Sequence, residues 1–274
     1  MITTLSIRRY AIALALSLLA SGCGGTKETA ADKPVEELYN AAMDKFSDAD
    51  FRGAATAFDE VDRQHPYSVW ATKAQIMDAY ALYQAQKYDE AVVALDRFIQ
   101  LHPGNRDAAY AYYLKALCYY VQIVDVGRDQ KVTGQALKAL DEVIRRFPES
   151  RYARDARLKL DLTRDHLAGK EMEIGRYYEN QGQFLAAINR FRRVVDNYQT
   201  TTHVPEALHR LTECYLTLGI VDEARSAAAV LGHNYPGSEW YQDSYALLTG
   251  APSEAAADEK PSKGWMARII GSLF

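Results

Sequence analysis

The sequence is poor in the residues from which catalytic and metal sites are built. Its 274 residues include only 3 cysteines and 6 histidines, and their spacing does not match that of zinc ligands. The chain also lacks a glycine-rich phosphate loop and a nucleophile elbow. Its many carboxylates are expected on solvated helix faces. We therefore expect no catalytic residue, no metal and no cofactor, and we do not expect an enzyme.

Long apolar runs are also absent. Near the N-terminus, ten small or apolar residues, 11–20, follow Arg8 and Arg9, and such a stretch is too short to span a bilayer. This pattern predicts a signal peptide over residues 1–22. The next residues, Ser21-Gly22-Cys23, resemble a bacterial lipobox, whose cysteine is acylated. The alternative is an incidental Cys23 after an ordinary signal peptide.

The residue after the lipobox cysteine bears on the localisation of the protein. Gly24 stands where an Asp would retain a lipoprotein of this kind in the inner membrane. The expected localisation is therefore the periplasmic face of the outer membrane, held by acyl chains on Cys23. Residues 23–34 are predicted to be the lipidated cysteine and a flexible tether, because they lack large apolar side chains and end at a proline.

The balance of charge excludes one class of partner. The formal net charge is −4, which argues against nucleic acid as the main partner, and 48% hydrophobic residues are enough for a sizeable core. Apart from Cys23, the cysteines are Cys118 and Cys214. A disulfide in an oxidising compartment and two small buried side chains both fit this pair.

What the sequence does contain is a repeated helical hairpin. Small and large apolar residues recur at helical spacing, pause at a short polar turn, resume, and stop near a proline or an aromatic residue. The units end near positions 66, 103, 148, 199 and 236, so the spacing is 37 residues in the first and last intervals. This pattern resembles the tetratricopeptide (TPR) repeat. We predict an all-α fold, a superhelical array of five TPR-like hairpins (an α-solenoid).

A superhelix of this kind offers a concave surface lined by the first helix of each repeat. The repeat register places aromatic side chains such as Tyr80 and Tyr83, together with Ile76, near that surface, and Tyr67 and Trp70 in a connecting turn. Rigid aromatic groups with a polar end suit an extended peptide. The alternative is that these residues fill the gaps between hairpins.

The remaining segments complete the predicted organisation. We expect N-terminal repeats 1–3 over residues 35–148, forming a substrate groove, and C-terminal repeats 4–5 over residues 149–250, binding a partner. A linker follows at 251–263. The last segment, 264–274, groups its large apolar residues on one helical face, which indicates docking on a partner or a membrane, or else a frayed terminus or a contact with the repeats.

Taken together, these features resemble a known family. The lipobox, the tether, five TPR-like units, the insertion from Val124 to Gln130 and the motif Ala187-Ile188-Asn189-Arg190-Phe191 are similar to those of the BamD (ComL) family. Its members are lipoproteins of the outer-membrane β-barrel assembly machinery. The resemblance covers the mature chain up to about residue 250 and leaves the C-terminal segment unmatched.

The resemblance implies partners that spacing alone does not give. Family members bind the barrel-forming subunit BamA, act beside other assembly-machinery lipoproteins, and are thought to recognise C-terminal signals of unfolded outer-membrane proteins. Matching motifs place the BamA contact at Arg190. They place the substrate-peptide groove at a set of N-terminal residues: His65, Tyr67, Trp70, Tyr80, Tyr83 and Arg97. An exposed pair of Arg97 with its neighbour Asp96 is the alternative for Arg97. The rival function is a TPR lipoprotein scaffold of another envelope system, in cell-division coordination or pilus and secretin assembly.

Overall fold

The computed structural model describes residues 33–250. Within this range all regular secondary structure is helical, and no strand is present. The predicted signal peptide, the lipidation site Cys23, the linker at 251–263 and the C-terminal segment 264–274 lie outside it. The eleven helices of the described range are α1 Val35–Ser47, α2 Phe51–Gln64, α3 Val69–Gln84, α4 Tyr88–Leu101, α5 Ala108–Tyr120, α6 Lys131–Arg146, α7 Arg151–Asn180, α8 Phe184–Asn197, α9 Val204–Thr217, α10 Val221–Asn234 and α11 Glu239–Thr249.

Successive helices pack as hairpins. In residues 33–74, α1 packs on α2; in residues 75–250, α5 packs on α6, α7 on α8 and α9 on α10, and neighbouring hairpins also touch. These two compact units divide inside α3, between Ala74 and Gln75, and each is described by itself. The predicted all-α array of TPR-like hairpins is confirmed. The proposed functional division between residues 148 and 149 stays a prediction.

The hairpin turns reuse one backbone conformation. Ala49, Gln86, Gly182 and Gly219 have φ angles of 61°, 59°, 70° and 76°, and each lies between the two helices of a hairpin. Glycine adopts this left-handed region freely, whereas for a residue with a Cβ it costs roughly 1–2 kcal/mol. The repeat of this geometry at non-glycine positions shows that hairpin packing, rather than the turn residue, determines the turn.

The third hairpin has a longer connection instead. Residues 121–130 join α5 to α6, as the predicted insertion required. The Gln130 side-chain amide donates to the carbonyl oxygens of Asp125 and Arg128 at 3.1 and 3.0 Å, and Asp125 Oδ1 accepts from the Gly127 amide at 2.8 Å. These side-chain bonds provide hydrogen-bond partners for loop backbone groups that have no partner within a helix.

In two of the hairpins, small residues of the first helix pack against large side chains of the second helix. At Gly175 of α7, a Cβ would lie 2.4 Å from the Cε1 atom of Phe191, so only glycine admits the fully buried Phe191 ring of α8. On the second hairpin, Ala79 of α3 packs with Leu95 and Phe98 of α4. Small residues on the first helix therefore receive large side chains from the second.

Helix α7 belongs to two cores. Its first half contributes Ala156 and Leu160 to a cluster with Leu140 of α6, and its second half contributes Met172 to a cluster with Phe191. It has 30 residues and runs without interruption through Gly169. At 1.5 Å per residue this helix is about 45 Å long.

Candidate functional site

Three predicted groove residues lie in the unit of residues 33–74, at the turn between α2 and α3. His65 ends α2, and its Nε2 atom lies 2.8 Å from the Lys33 carbonyl oxygen. The Trp70 ring packs against Tyr39 at a tilt, with ring centroids 4.9 Å apart, and the Lys73 ammonium lies 4.8 Å from the Trp70 ring centre. The Tyr67 side chain, by contrast, is fully exposed.

Tyr80 and Tyr83 belong to a larger set in residues 75–250, which we call the tyrosine cluster. Its rings contact one another pairwise, at 6.4 Å for Tyr80–Tyr83, 5.7 Å for Tyr83–Tyr88, 5.5 Å for Tyr110–Tyr152 and 5.3 Å for Tyr113–Tyr152. The cluster comprises Tyr80, Tyr83, Tyr88, Tyr110, Tyr113 and Tyr152. These residues are half-buried, so each ring offers both an apolar face and a polar end.

Hydrogen bonds hold one side of the tyrosine cluster in place. The Tyr113 hydroxyl donates to Asp155, which also accepts from Lys159 Nζ at 2.7 Å. Burial alone would raise the pKa of Asp155, but the hydrogen bonds from Lys159 and Tyr113 lower it overall. Burial, followed by the bond to Asp155, raises the pKa of Tyr113, so its hydroxyl stays protonated.

Arg97 and Ile76 occupy different surroundings from the tyrosine pair. Ile76 is 8% exposed and packs in the core of the α3–α5 region, so the register placing it near an open surface is wrong. Arg97 is exposed on α4, about 200° around the helix from the buried Leu95. The neighbouring Asp96 accepts from Lys115 Nζ at 2.6 Å.

Arg190 lies on what we call the arginine face, formed by Arg190, Arg192 and Arg193 of α8. Arg190 Nη1 donates to Glu171 Oε2 at 3.1 Å, and Arg193 Nη1 lies 3.4 Å from Glu171 Oε1. Glu171 comes from α7 and is 17% exposed, whereas Arg193 is 57% exposed. One inward carboxylate therefore orients two arginines toward solvent.

A cavity opens beside the arginine face. Its volume is about 500 Å³. Its lining comprises Tyr178, Ala186, Asn189, Arg190, Arg192, Arg193 and Asp196. Next to it, Leu185 and Tyr177 are 66% and 61% exposed. Exposed apolar side chains beside guanidinium groups form a surface that suits protein association, since Arg and aromatic residues are enriched at such interfaces.

A second ionic group is buried, and we call it the buried ion cluster. Arg210 of α9 binds Glu213 Oε2 at 2.9 Å and approaches Glu206 and Glu179 at 3.6 and 3.8 Å. Arg176 of α7 binds both oxygens of Glu206, at 2.9 and 3.0 Å. The cluster comprises Arg176, Glu179, Glu206, His209, Arg210 and Glu213.

Helix α11 closes the buried ion cluster from the other side. The Ser244 hydroxyl, which is fully buried, lies 2.9 Å from His209 Nδ1. The Trp240 ring stacks at 5.2 Å on His209, and the Arg210 guanidinium lies 5.7 Å from the same ring. The cluster thus joins α7, α9 and α11.

Burial changes the protonation of the cluster. Burial raises the pKa of Glu179 to about 7, although Arg210 acts against it. Burial raises the pKa of Glu213 as well, and it lowers the pKa of His209 to about 4. His209 is therefore neutral at pH 7, and Glu179 exchanges its proton near that pH.

The expectation that carboxylates lie on solvated faces is wrong for two members of this cluster. The side chains of Glu179 and Glu213 are only 8% and 7% exposed. A local signal existed on α9, where Glu206, Arg210 and Glu213 follow one another at spacings of four and three and so share a face.

Residues 33–250 include two of the three cysteines, and both lie in the interior. Cys118 and Cys214 are both free and buried, so the structure has two buried thiols in place of a disulfide. None of the helices in this range is both long and apolar enough to traverse a bilayer. In the same residues, no group of three or more His, Cys, Asp or Glu side chains is arranged so that it could hold a metal ion.

Comparison with known proteins gives consistent matches. The family described as "Outer membrane lipoprotein" (YfiO) matches residues 31–231. The outer membrane protein assembly factor BamD of Caulobacter vibrioides is 50% identical over 88% of this chain and 81% of its own length. BamD of Rickettsia prowazekii is 47% identical over 86% of this chain and 94% of its own length.

A solved structure adds nothing to that assignment. A thermophilic TPR protein from Thermus thermophilus aligns with 80% of this chain and 98% of its own, at 18% identity and a TM-score of 0.36. The sequence matches carry the conclusion, and they confirm the resemblance found from the lipobox, the insertion and the Asn189-Arg190 motif. The chain belongs to the BamD family of outer membrane lipoproteins.

Proposed function

We propose that this chain is a non-catalytic scaffold for outer-membrane protein assembly, anchored at the periplasmic face of the outer membrane through acylated Cys23. It binds BamA through Arg190 and binds C-terminal signals of unfolded outer-membrane proteins through its N-terminal repeats. Relatives named as assembly factors, at 50% and 47% identity, support the assembly role. Holding substrate and insertase on one chain raises their effective concentration without covalent chemistry.

The arginine face is the observation that carries the partner assignment. Arg190 and Arg193 are oriented by Glu171 beside an open cavity, and Leu185 of the same helix is exposed. Because Glu171 already fixes these side chains, little rotamer entropy is lost when a partner binds. Other lipoproteins of the machinery are further candidate partners.

The test of the partner assignment is co-purification of BamA from solubilised membranes. We expect Arg190→Glu to abolish recovery of BamA while leaving the helical circular dichroism spectrum unchanged. Arg225→Glu on α10 is the control for the charge reversal itself, because Arg225 is exposed and makes only a 3.9 Å contact with Asp222. Unchanged recovery with Arg190→Glu would refute the assignment. Recovery of peptidoglycan synthases or secretins in place of BamA would support the rival envelope function.

The proposed substrate groove comprises His65, Tyr67 and Trp70 in the unit of residues 33–74, and Tyr80, Tyr83 and Arg97 in the unit of residues 75–250. Half-exposed rings of Tyr80 and Tyr83 provide stacking faces for the aromatic end of a peptide. We expect the double variant Tyr80→Ala, Tyr83→Ala to lower crosslinking to peptides that carry C-terminal signals. Tyr245→Ala, which removes an exposed tyrosine of α11, is the control. An unaltered crosslink yield would remove the groove from the proposal.

A further inference from the structure

The turn between α2 and α3 exposes two large side chains with no cover. Tyr67 is 102% exposed and Val69 is 75% exposed, the highest values among the large hydrophobic residues of the described range. Single exposed apolar residues are ordinary on proteins. Two of them at the tip of one turn call for a further observation that identifies what they meet.

That observation is the position of the incoming chain. His65 Nε2 lies 2.8 Å from the Lys33 carbonyl oxygen, so the start of the described chain is held at the same turn. The ring of Trp70 packs at a tilt against Tyr39 of α1, which holds the beginning of α3 against the first helix. The α2–α3 turn and the entry of the chain therefore lie together at one end of the α1–α2 hairpin.

The length of the preceding chain brings this end close to the anchor. Lys33 lies ten positions after Cys23 in the sequence. A chain of that length reaches at most about 36 Å, whatever its conformation. An acyl group on Cys23 therefore keeps the turn within that distance of the membrane surface, where even a weak additional contact is favoured by effective concentration.

The composition of the turn matches a phospholipid surface. No carboxylate occurs between His65 and Lys73. Tyr and Trp side chains prefer the membrane interface, and lysines near a surface are attracted to anionic headgroups. Lys73, whose ammonium lies 4.8 Å from the Trp70 ring centre, supplies a positive charge in this stretch of the chain.

We propose that the α2–α3 turn is a second membrane contact, which places Tyr67 and Val69 among phospholipid headgroups beside the lipid anchor. This proposal rests on the acylation of Cys23 put forward above. A single acyl anchor leaves a protein free to rotate, whereas an anchor plus a side-chain contact fixes the orientation of the α1–α2 hairpin. This contact assigns Tyr67 to the membrane and leaves the other residues of the proposed groove to the peptide.

Fluorescence quenching on vesicles tests the proposal. The mature acylated chain carrying Val69→Cys, labelled with a fluorophore, is bound to vesicles of phosphatidylethanolamine and phosphatidylglycerol that contain nitroxide lipids. The native thiols do not compete, because Cys118 and Cys214 are 0% and 1% exposed. Asp48→Cys is the matched control. It is an exposed site at the far end of α1, about 20 Å along the helix axis.

We expect lipid nitroxides to quench the label at position 69, at a depth within about 10 Å of the headgroup level. The label at position 48 is expected to stay unquenched. Adding Tyr67→Asp to the Val69→Cys chain should reduce its quenching to the level of the control.

Three results would overturn the proposal. Equal quenching at both positions in chains that sediment with vesicles would show that the turn makes no specific contact, although the anchor holds. Failure to sediment would refute the anchor and this contact together. A label at position 69 that responds to a C-terminal signal peptide but not to lipid nitroxides would assign Tyr67 to the peptide groove instead.

Discussion

The tyrosine cluster and the buried ion cluster are both built from polar side chains of residues 75–250. They differ in the partners that their polar groups need. The tyrosines are half-buried and uncharged, so burying their hydroxyls costs less than burying a carboxylate, as at Tyr80 and Tyr83. In the ion cluster, three glutamates depend largely on Arg210 and Arg176. The first arrangement leaves a surface available for ligands, whereas the second fixes three helices together and is vulnerable to the loss of one residue.

Replacing Arg210 gives the largest effect that this comparison predicts. Arg210→Ala leaves Glu213 and Glu179 buried without their cation, and removing one partner of a buried ion pair costs roughly 3–5 kcal/mol. We expect the free energy of unfolding, measured by urea denaturation, to fall by that amount. Arg193→Ala is the control, because the exposed Arg193 pair should contribute less than about 1 kcal/mol. Equal losses in the two variants would contradict the distinction between the two kinds of ion pair.

Glu179 and His209 are expected to change the free energy of unfolding in opposite directions as the pH increases. The Glu179 pKa rises from 4.5 to about 7 on folding, so stability is lost as pH increases through that range. The His209 pKa falls from 6.5 to about 4, so stability is lost as pH decreases from 6.5 to 4. Between pH 4.5 and 6.5 the two slopes oppose each other.

Single substitutions should therefore uncover opposite slopes. With His209→Asn, we expect stability to fall more steeply as pH increases from 4.5 to 6.5, by up to about 1.4 kcal/mol per pH unit relative to the parent chain. With Glu179→Gln, the change in slope should have the opposite sign. Urea unfolding at several pH values measures both. Parent-like slopes in both variants would show that neither group changes its pKa on folding.

A substitution in the tyrosine cluster should lower the free energy of unfolding by less than the loss of Arg210. Tyr113→Phe removes the hydroxyl that donates to Asp155 and is expected to cost about 1 kcal/mol in the free energy of unfolding. Tyr112→Phe is the control on the same helix, since its ring packs on Phe147 and beneath the Arg146 guanidinium without relying on its hydroxyl. A cost at position 113 no larger than at position 112 would mean that the hydrogen bond adds nothing to stability.

The smallest effect is expected at the two thiols. Burial raises the pKa of Cys118 to about 12 and raises that of Cys214 as well. Since the thiolate is the reactive form, neither cysteine of the folded chain should react with iodoacetamide at pH 8. Mass spectrometry before and after denaturation checks this. Rapid labelling of Cys214 but not Cys118 would show that the α7–α9 region opens more readily than the tyrosine region.

The sequence predicted what depends on neighbours along the chain. Helical spacing of Ala91, Leu95 and Phe98 identified a buried face, and all three are fully buried in the structure. The insertion before α6 was predicted for the same reason, because it interrupts a local pattern. The lipobox and the Asn189-Arg190 motif pointed to the family through their own residues.

The buried ion cluster could not be predicted in this way. Glu179 precedes a turn, where a glutamate is normally solvated, and its burial results from contacts with α9, 31 residues later at Arg210. The register also failed at Ile76, because a repeat pattern gives the helix face but not how closely the next hairpin covers it. Such features depend on packing between hairpins, which no local spacing specifies.

The uninterrupted helix α7 has a consequence for how the chain opens. Because Leu160 is held in one core and Met172 in the next, neither half of the helix can unfold without loosening the other core. Regions joined in this way open as one cooperative unit. Amide hydrogens near these two residues should therefore exchange with solvent at similar rates. The free energy of local opening would then be the same for the third and fourth hairpins.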